Sequence, residues 1–226
     1  MYTHNIPRHK VFISYYHQDD QDYKNYLIQL IEYNPNLGRY QFIFDDYSVS
    51  ENDIDDTGMS DEAVRKEIRD NYIKDATVLI LLCGKHTKDR KFIDWEIHAA
   101  MFDTKNNPKL GILVINLPTL NGQNHIQSGQ DDEKSIIGSP SLSWFTVNSR
   151  SEYEKRFPYL PSRIIDNYES SLNYDDIVPI TIVDWDVIKD NNAALKTLID
   201  NAYKRSRNKN LHYNYSAPLR SRNRRQ

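Results

Sequence analysis

The chain has one cysteine among 226 residues, Cys83, so it closes no internal disulfide. That usage fits a reducing cytosol, and the cytoplasm is the expected location. Long apolar runs are also missing. The two longest, ATVLILLC (76–83) and LGILVINL (110–117), fall well short of the roughly 20 residues that span a bilayer, so no membrane segment is expected. The start, MYTHNIPRHK, shows neither an apolar stretch behind a charged one nor a small-residue cleavage site, and nothing marks export. Seven glycines fall into neither G-x-x-x-x-G-K-[ST] nor G-x-G-x-x-G, which removes the phosphate-cradling P-loop and the dinucleotide fingerprint. The histidines do not group: His86 and His98 lie too far apart for i, i+4 ligation. With one cysteine, a zinc site would have to gather ligands from distant loops, and no metal is expected.

The charge is present but unevenly placed. Residues 204–226 hold eight of the 29 Lys/Arg and none of the 32 Asp/Glu, so residues 1–203 carry about −11. A basic tail of this kind either binds an anionic surface or is a solvated end that offsets an acidic body. It lacks the repeated aromatic spacing that base stacking needs, and nucleic acid is not the expected partner.

Along the chain, β-forming and helical patterns alternate. HKVFISYY (9–16) reads as a strand, and DYKNYLIQLIEY (22–33) as a helix with Tyr23, Tyr26, Leu27, Leu30 and Ile31 in phase. RYQFIF (39–44) reads as a second strand, and EAVRKEIRDNYIK (62–74) as a second helix. TVLILLC (77–83) is apolar throughout, as a strand covered on both faces must be. A third helix, LGILVIN (110–116), DIVPITIVDW (176–185) and the helical NAALKTLIDNAYKRS (192–206) complete the pattern. Such alternation implies crossovers and a mostly parallel five-stranded sheet with helices on both faces, a flavodoxin-like α/β layout. The interval 119–175 is irregular and rich in turn residues, a long insertion before the last strand. The expected organisation is one domain over 1–203, with core 9–118 and 176–203 around that insertion, and a basic tail over 204–226.

Several chemistries fail on context. A phosphate-accepting regulator of this layout needs an Asp at the end of its third strand, where Cys83-Gly84 stands. DIDDT (53–57) matches a phosphatase D-x-D-x-T pattern, but polar SVSEN precedes it instead of an apolar strand. As a calcium loop it fails too, with Val64 in place of the closing Glu. The same loop has a plain role as the approach to a helix capped by Ser60 or Asp61. Cys83, inside an apolar strand, reads as a small core residue.

RKFIDWEIHAAM (90–101) holds the most informative residue. Wound at about 100° per residue, it places Glu96 opposite Asp94, His98 and Lys105, inside an arc of Phe92, Ile93, Ala99 and Ala100. A buried carboxylate is costly unless paired. Either its stem packs while the charge reaches water or a neighbour such as Arg90, or it serves a ligand near the carboxyl edge of the sheet. Phe92, one turn earlier on the same side, offers a flat wall on which a ring can stack.

VFISYY (11–16), IRDNYIKDATVLILLCGKHT (68–87) and FIDWEIHAA (92–100), in this order and spacing, resemble the TIR-like family that includes the TIR subunit of the bacterial Thoeris anti-phage system. A fainter echo runs through LPSRIID (160–166) and IVPITIVDWD (177–186). The resemblance implies a TIR fold and an enzyme that cleaves the nicotinamide–ribose bond of NAD+, which is substrate and not cofactor. Glu96 falls on the catalytic position and Phe92 on a frequent aromatic. It further implies a cyclic or otherwise modified ADP-ribose signal that diffuses to a separate effector protein, with a phage-derived trigger and self-association. Ser14, Tyr15, Tyr16 and His17 match the substrate-facing end of the first strand, without the basic residues found there in some members. Asp45, Asp46 and Ser48 match the entry to the mobile loop after the second strand. The competing class is a TIR-like scaffold that binds without turnover.

Overall fold

The computed structural model describes residues 8–48, 58–105, 107–120, 131–137, 149–171 and 178–219. Five strands form one all-parallel sheet: β1 (Lys10–Ser14), β4 (Asp45–Asp46), β5 (Val78–Cys83), β6 (Gly111–Asn116) and β7 (Thr181–Asp184), in the order β4-β1-β5-β6-β7. This is the expected flavodoxin-like arrangement. Its centre follows from period-two alternation. Leu79, Leu81 and Cys83 of β5 enter one core together with Phe12, Ile112 and Val114. Val78, Ile80 and Leu82 enter the other, with Val11, Ile13, Leu113 and Ile115. A strand that feeds two cores cannot alternate with polar residues, hence the unbroken apolar run.

The helices α1 (His17–Ile28) and α8 (Asn192–Ser206) cover one face, α8 through Leu195, Leu198, Ile199 and Ala202. Gly111 permits that approach, since a Cβ there would stand 2.3 Å from the Ala202 carbonyl oxygen. On the other face lie α2 (Asp61–Glu67), a π-turn at Ile68–Tyr72, and α3 (Lys91–Met101). Ser60 caps α2, its hydroxyl accepting from the Ala63 amide at 3.2 Å. The DIDDT loop (53–57) lies outside the described residues.

Four expectations change. The first helix ends at Ile28 instead of reaching Tyr33, because residues 31–34 turn back on residues 39–42 as an antiparallel hairpin of β2 (Ile31–Asn34) and β3 (Arg39–Phe42). Gly38 completes the turn with φ +62°. RYQFIF is therefore not the second strand of the main sheet: that place is taken by the two-residue β4, paired as Lys10↔Asp45 and Val11↔Asp46.

The insertion contains helices α4 (Asp131–Ile137), α5 (Arg150–Arg156) and α6 (Ser162–Ser171). It contributes Tyr153, Phe157, Leu160, Ile164, Ile165 and Tyr168 to the core that holds α3. Buried Glu133 of α4 accepts from Thr181 Oγ1 at 2.8 Å and Arg205 Nη1 at 2.9 Å, tying the insertion to β7 and α8. The described part of the tail is not a solvated end, for Leu211 and Tyr213 are buried. Among the described residues no helix is long and apolar enough to cross a membrane.

Candidate active site

The exit of β1 faces α3 at the carboxyl edge of the sheet. Ser14, buried, donates its hydroxyl to Glu96 Oε2 at 2.6 Å. Glu96 is half-buried in the middle of α3. Phe92 is half-buried too, its ring edge-on to Trp95 at 5.2 Å. Spaced by four, Phe92 and Glu96 share one strip of the helix, and that strip is the part of α3 left open.

The wider reading of this helix is inverted. Asp94 and His98, placed by simple amphipathicity on the wet side, are buried, as are Ile93, Trp95, Ile97 and Ala99–Met101. An outer layer unseen in the periodicity covers them. Arg163 of α6, 0% exposed, clasps Asp94 through Nε at 2.8 Å and Nη2 at 2.9 Å. It also donates to the carbonyls of Ala217 at 3.1 Å and Pro218 at 2.9 Å. His98 Nε2 meets the Tyr215 carbonyl at 3.1 Å. Burial, then the Arg163 charge, pushes the His98 imidazole down to about 4, so it is neutral in the fold. The position of Glu96 is thus fixed from behind by the insertion and the tail.

Strand alternation divides the expected first-strand residues. Tyr16 packs with Phe92 against the core that holds α3, on the Ser14 side. Tyr15 points to the opposite core, stacks on His17 at 4.1 Å and donates to Gln21 Oε1 at 2.8 Å. Ser48 is near the strand, its hydroxyl accepting from the Ile13 amide at 2.9 Å. Asp45 and Asp46 sit beside Lys10 and Val11, roughly 10–13 Å down the strand from Ser14. Each has a cation of its own: Arg8 pairs with Asp45, and Lys24 with Asp46 at 3.0 Å. The structure thus brings together Ser14, Tyr16, Phe92 and Glu96, and sets Tyr15, His17, Asp45 and Asp46 apart from them.

One neighbour escaped the sequence reading, and another has a different partner from the one expected. Asp20 of α1 is 1% exposed, and among the described residues neither carboxylate oxygen has a hydrogen-bond partner of ordinary geometry. Burial first, then Asp19, raises its pKa to about 6, while the Tyr16 amide favours the charged form. It presses on Gly84, where a Cβ would stand 2.5 Å from Oδ2. Burial, then Asp20, also raises the Cys83 thiol to about 12, which leaves it inert as a nucleophile. The other is Arg90, expected as a neighbour for the Glu96 charge. It does not turn to Glu96 but lies over the Tyr16 ring at 3.5 Å.

Thr87, fully buried, holds this loop. Its hydroxyl accepts from the Gly84 amide at 2.8 Å and donates to the Leu82 carbonyl at 3.3 Å. Among the described residues no group of three or more His, Cys, Asp or Glu is placed to hold a metal. A cavity of about 230 Å³ lies at the far end of α3, against Met101, Lys109 and Tyr213, and Glu96 does not line it.

The all-parallel five-stranded sheet flanked by helices is consistent with the flavodoxin-like fold of TIR domains. Residues 12–122 match the family described as Thoeris protein ThsB, TIR-like domain. No curated protein and no solved structure matches the chain.

Proposed function

We propose that the protein cleaves the nicotinamide–ribose bond of NAD+, with Glu96 as the catalytic carboxylate. The supporting observation is the 2.6 Å hydrogen bond from Ser14 to Glu96. It fixes one carboxylate oxygen in a half-buried setting at the carboxyl edge of the sheet. Cleavage develops positive charge on the ribose, which a nearby carboxylate stabilises while accepting from a ribose hydroxyl. Nicotinamide is cationic when attached and neutral once released, so the leaving group requires no general acid. Phe92 offers the flat face on which its ring stacks. The ADP-ribose product, cyclised or otherwise modified, is the diffusible signal to an effector in anti-phage defence, the role the Thoeris family suggests.

A scaffold that works by assembly is the second reading. The hairpin favours it, with Ile31, Tyr33, Tyr40 and Phe42 between 47% and 67% exposed. Nicotinamide release by wild type and Glu96→Gln, from purified protein and from cells under phage infection, separates the two. Release lost in Glu96→Gln supports the enzyme. Equal release removes Glu96 from the chemistry, and none from either leaves the scaffold.

A further inference from the structure

The diphosphate of a dinucleotide is held by cations or by backbone amides at a helix end, and the exit of the first strand, Ser14-Tyr15-Tyr16-His17, supplies no Lys or Arg. The loop between β5 and α3 does. Over residues 84–91 it carries Lys85, Lys88, Arg90 and Lys91 against one acid, Asp89, on a body of about −11. Lys88 is committed to the Pro158 carbonyl at 3.1 Å, and Lys91 leans over the Phe92 and Trp95 rings. Arg90 is placed differently. Its guanidinium lies 3.5 Å over the ring of Tyr16, and its buried Nε has no hydrogen-bond partner among the described residues.

We propose that Arg90, held flat on the Tyr16 ring, binds the diphosphate of the dinucleotide substrate. The inference rests on the NAD+ reading above and names the group that takes the other half of the ligand. Two contacts join the same pair of elements: Ser14 to Glu96 and Tyr16 to Arg90. Ser14 and Tyr16, two apart, face the same side. Arg90 and Glu96 are six residues apart, about 9 Å of rise along the helix. One helix thereby presents a carboxylate to a ribose and a cation to the phosphate that ribose bears. A ring-stacked guanidinium keeps its fork of donors free for bidentate phosphate binding. Arg90 is also the N-cap of the 11-residue α3, where the helix end adds to the attraction.

The test is calorimetric binding to the full chain, with ADP-ribose, inorganic pyrophosphate and nicotinamide riboside as probes. Arg90→Gln is expected to weaken ADP-ribose and pyrophosphate by about tenfold or more and to leave the uncharged-tail probe, nicotinamide riboside, unchanged. Arg90→Lys keeps the charge without the fork; it recovers part of the loss and serves as the reading if the first variant melts early. Equal ADP-ribose affinity in wild type and Arg90→Gln overturns the assignment, as does a wild type that binds neither diphosphate. Nicotinamide release measured in parallel distinguishes the two ideas. Release that needs Glu96 but not Arg90 overturns this inference and spares the cleavage. Pyrophosphate binding that needs Arg90, in a chain that releases no nicotinamide, supports the anion site and overturns the cleavage.

Discussion

Replacing Asp20 by Asn removes a charge from a buried site where no described residue gives it an ordinary hydrogen bond. In the fold the Asp20 carboxyl has a pKa of about 6, against 3.8 when unperturbed. Two units of pKa correspond to about 3 kcal/mol. The folded chain holds this proton more tightly than the unfolded one. Stability from this group is therefore greatest below about 3.8 and falls as pH rises through about 6. Above 6 the full penalty is present.

Asp20→Asn, of nearly the same shape, is thus expected to stabilise the protein by up to about 3 kcal/mol at pH 7.5, with the gain vanishing near pH 4. His98 works in the other sense. Held neutral with a pKa of about 4, it draws stability down as pH falls from 6.5 toward 4, because the unfolded chain takes up the proton first. Between 4 and 6 the two slopes oppose each other in wild type, and Asp20→Asn exposes the His98 slope alone. Urea unfolding followed by tryptophan fluorescence at pH 4.5, 6 and 7.5 measures both effects. An Asn variant with the same advantage at every pH, or one less stable at pH 7.5, would refute the account of a desolvated, charged Asp20.

Arg163→Met should destabilise the chain by about 3–5 kcal/mol, since it takes the paired cation from a buried Asp94, and adding Asp94→Leu should return much of the loss; thermal melts of the single and double variants test this. Ser14→Ala keeps Glu96 but removes the hydrogen bond from the Ser14 hydroxyl. Nicotinamide release should drop about tenfold, the worth of one hydrogen bond to a charged group, with folding intact by circular dichroism.

The parallel sheet could be read from the chain because β1, β5 and β6 carry their burial in their own residues: VFIS, VLILLC and GILVIN need no partner to be recognised. Glu96 was legible through the family motif, but its surroundings were not. Amphipathic winding assumes one dry face, and α3 has two, the second made by α6 and residues 211–218 from more than 60 positions away. Helical spacing of Leu27, Leu30 and Ile31 likewise hid the hairpin, since the residues that stop the helix act only through pairing with 39–42. Asp20 left no trace at all, because nothing local marks a carboxylate that will later sit against Gly84.

The clasp of Arg163 on Asp94 bears on how the protein is made. The family-matched stretch closes at residue 122, yet the guanidinium that neutralises its interior acid arrives 41 residues later, and the carbonyls that steady it sit at 217 and 218. During synthesis, which proceeds from the amino end, an emerging TIR segment must wait with its inner carboxylate still wet. A chain that stops before residue 163 therefore carries that acid in a segment without the guanidinium that clasps it in the finished fold.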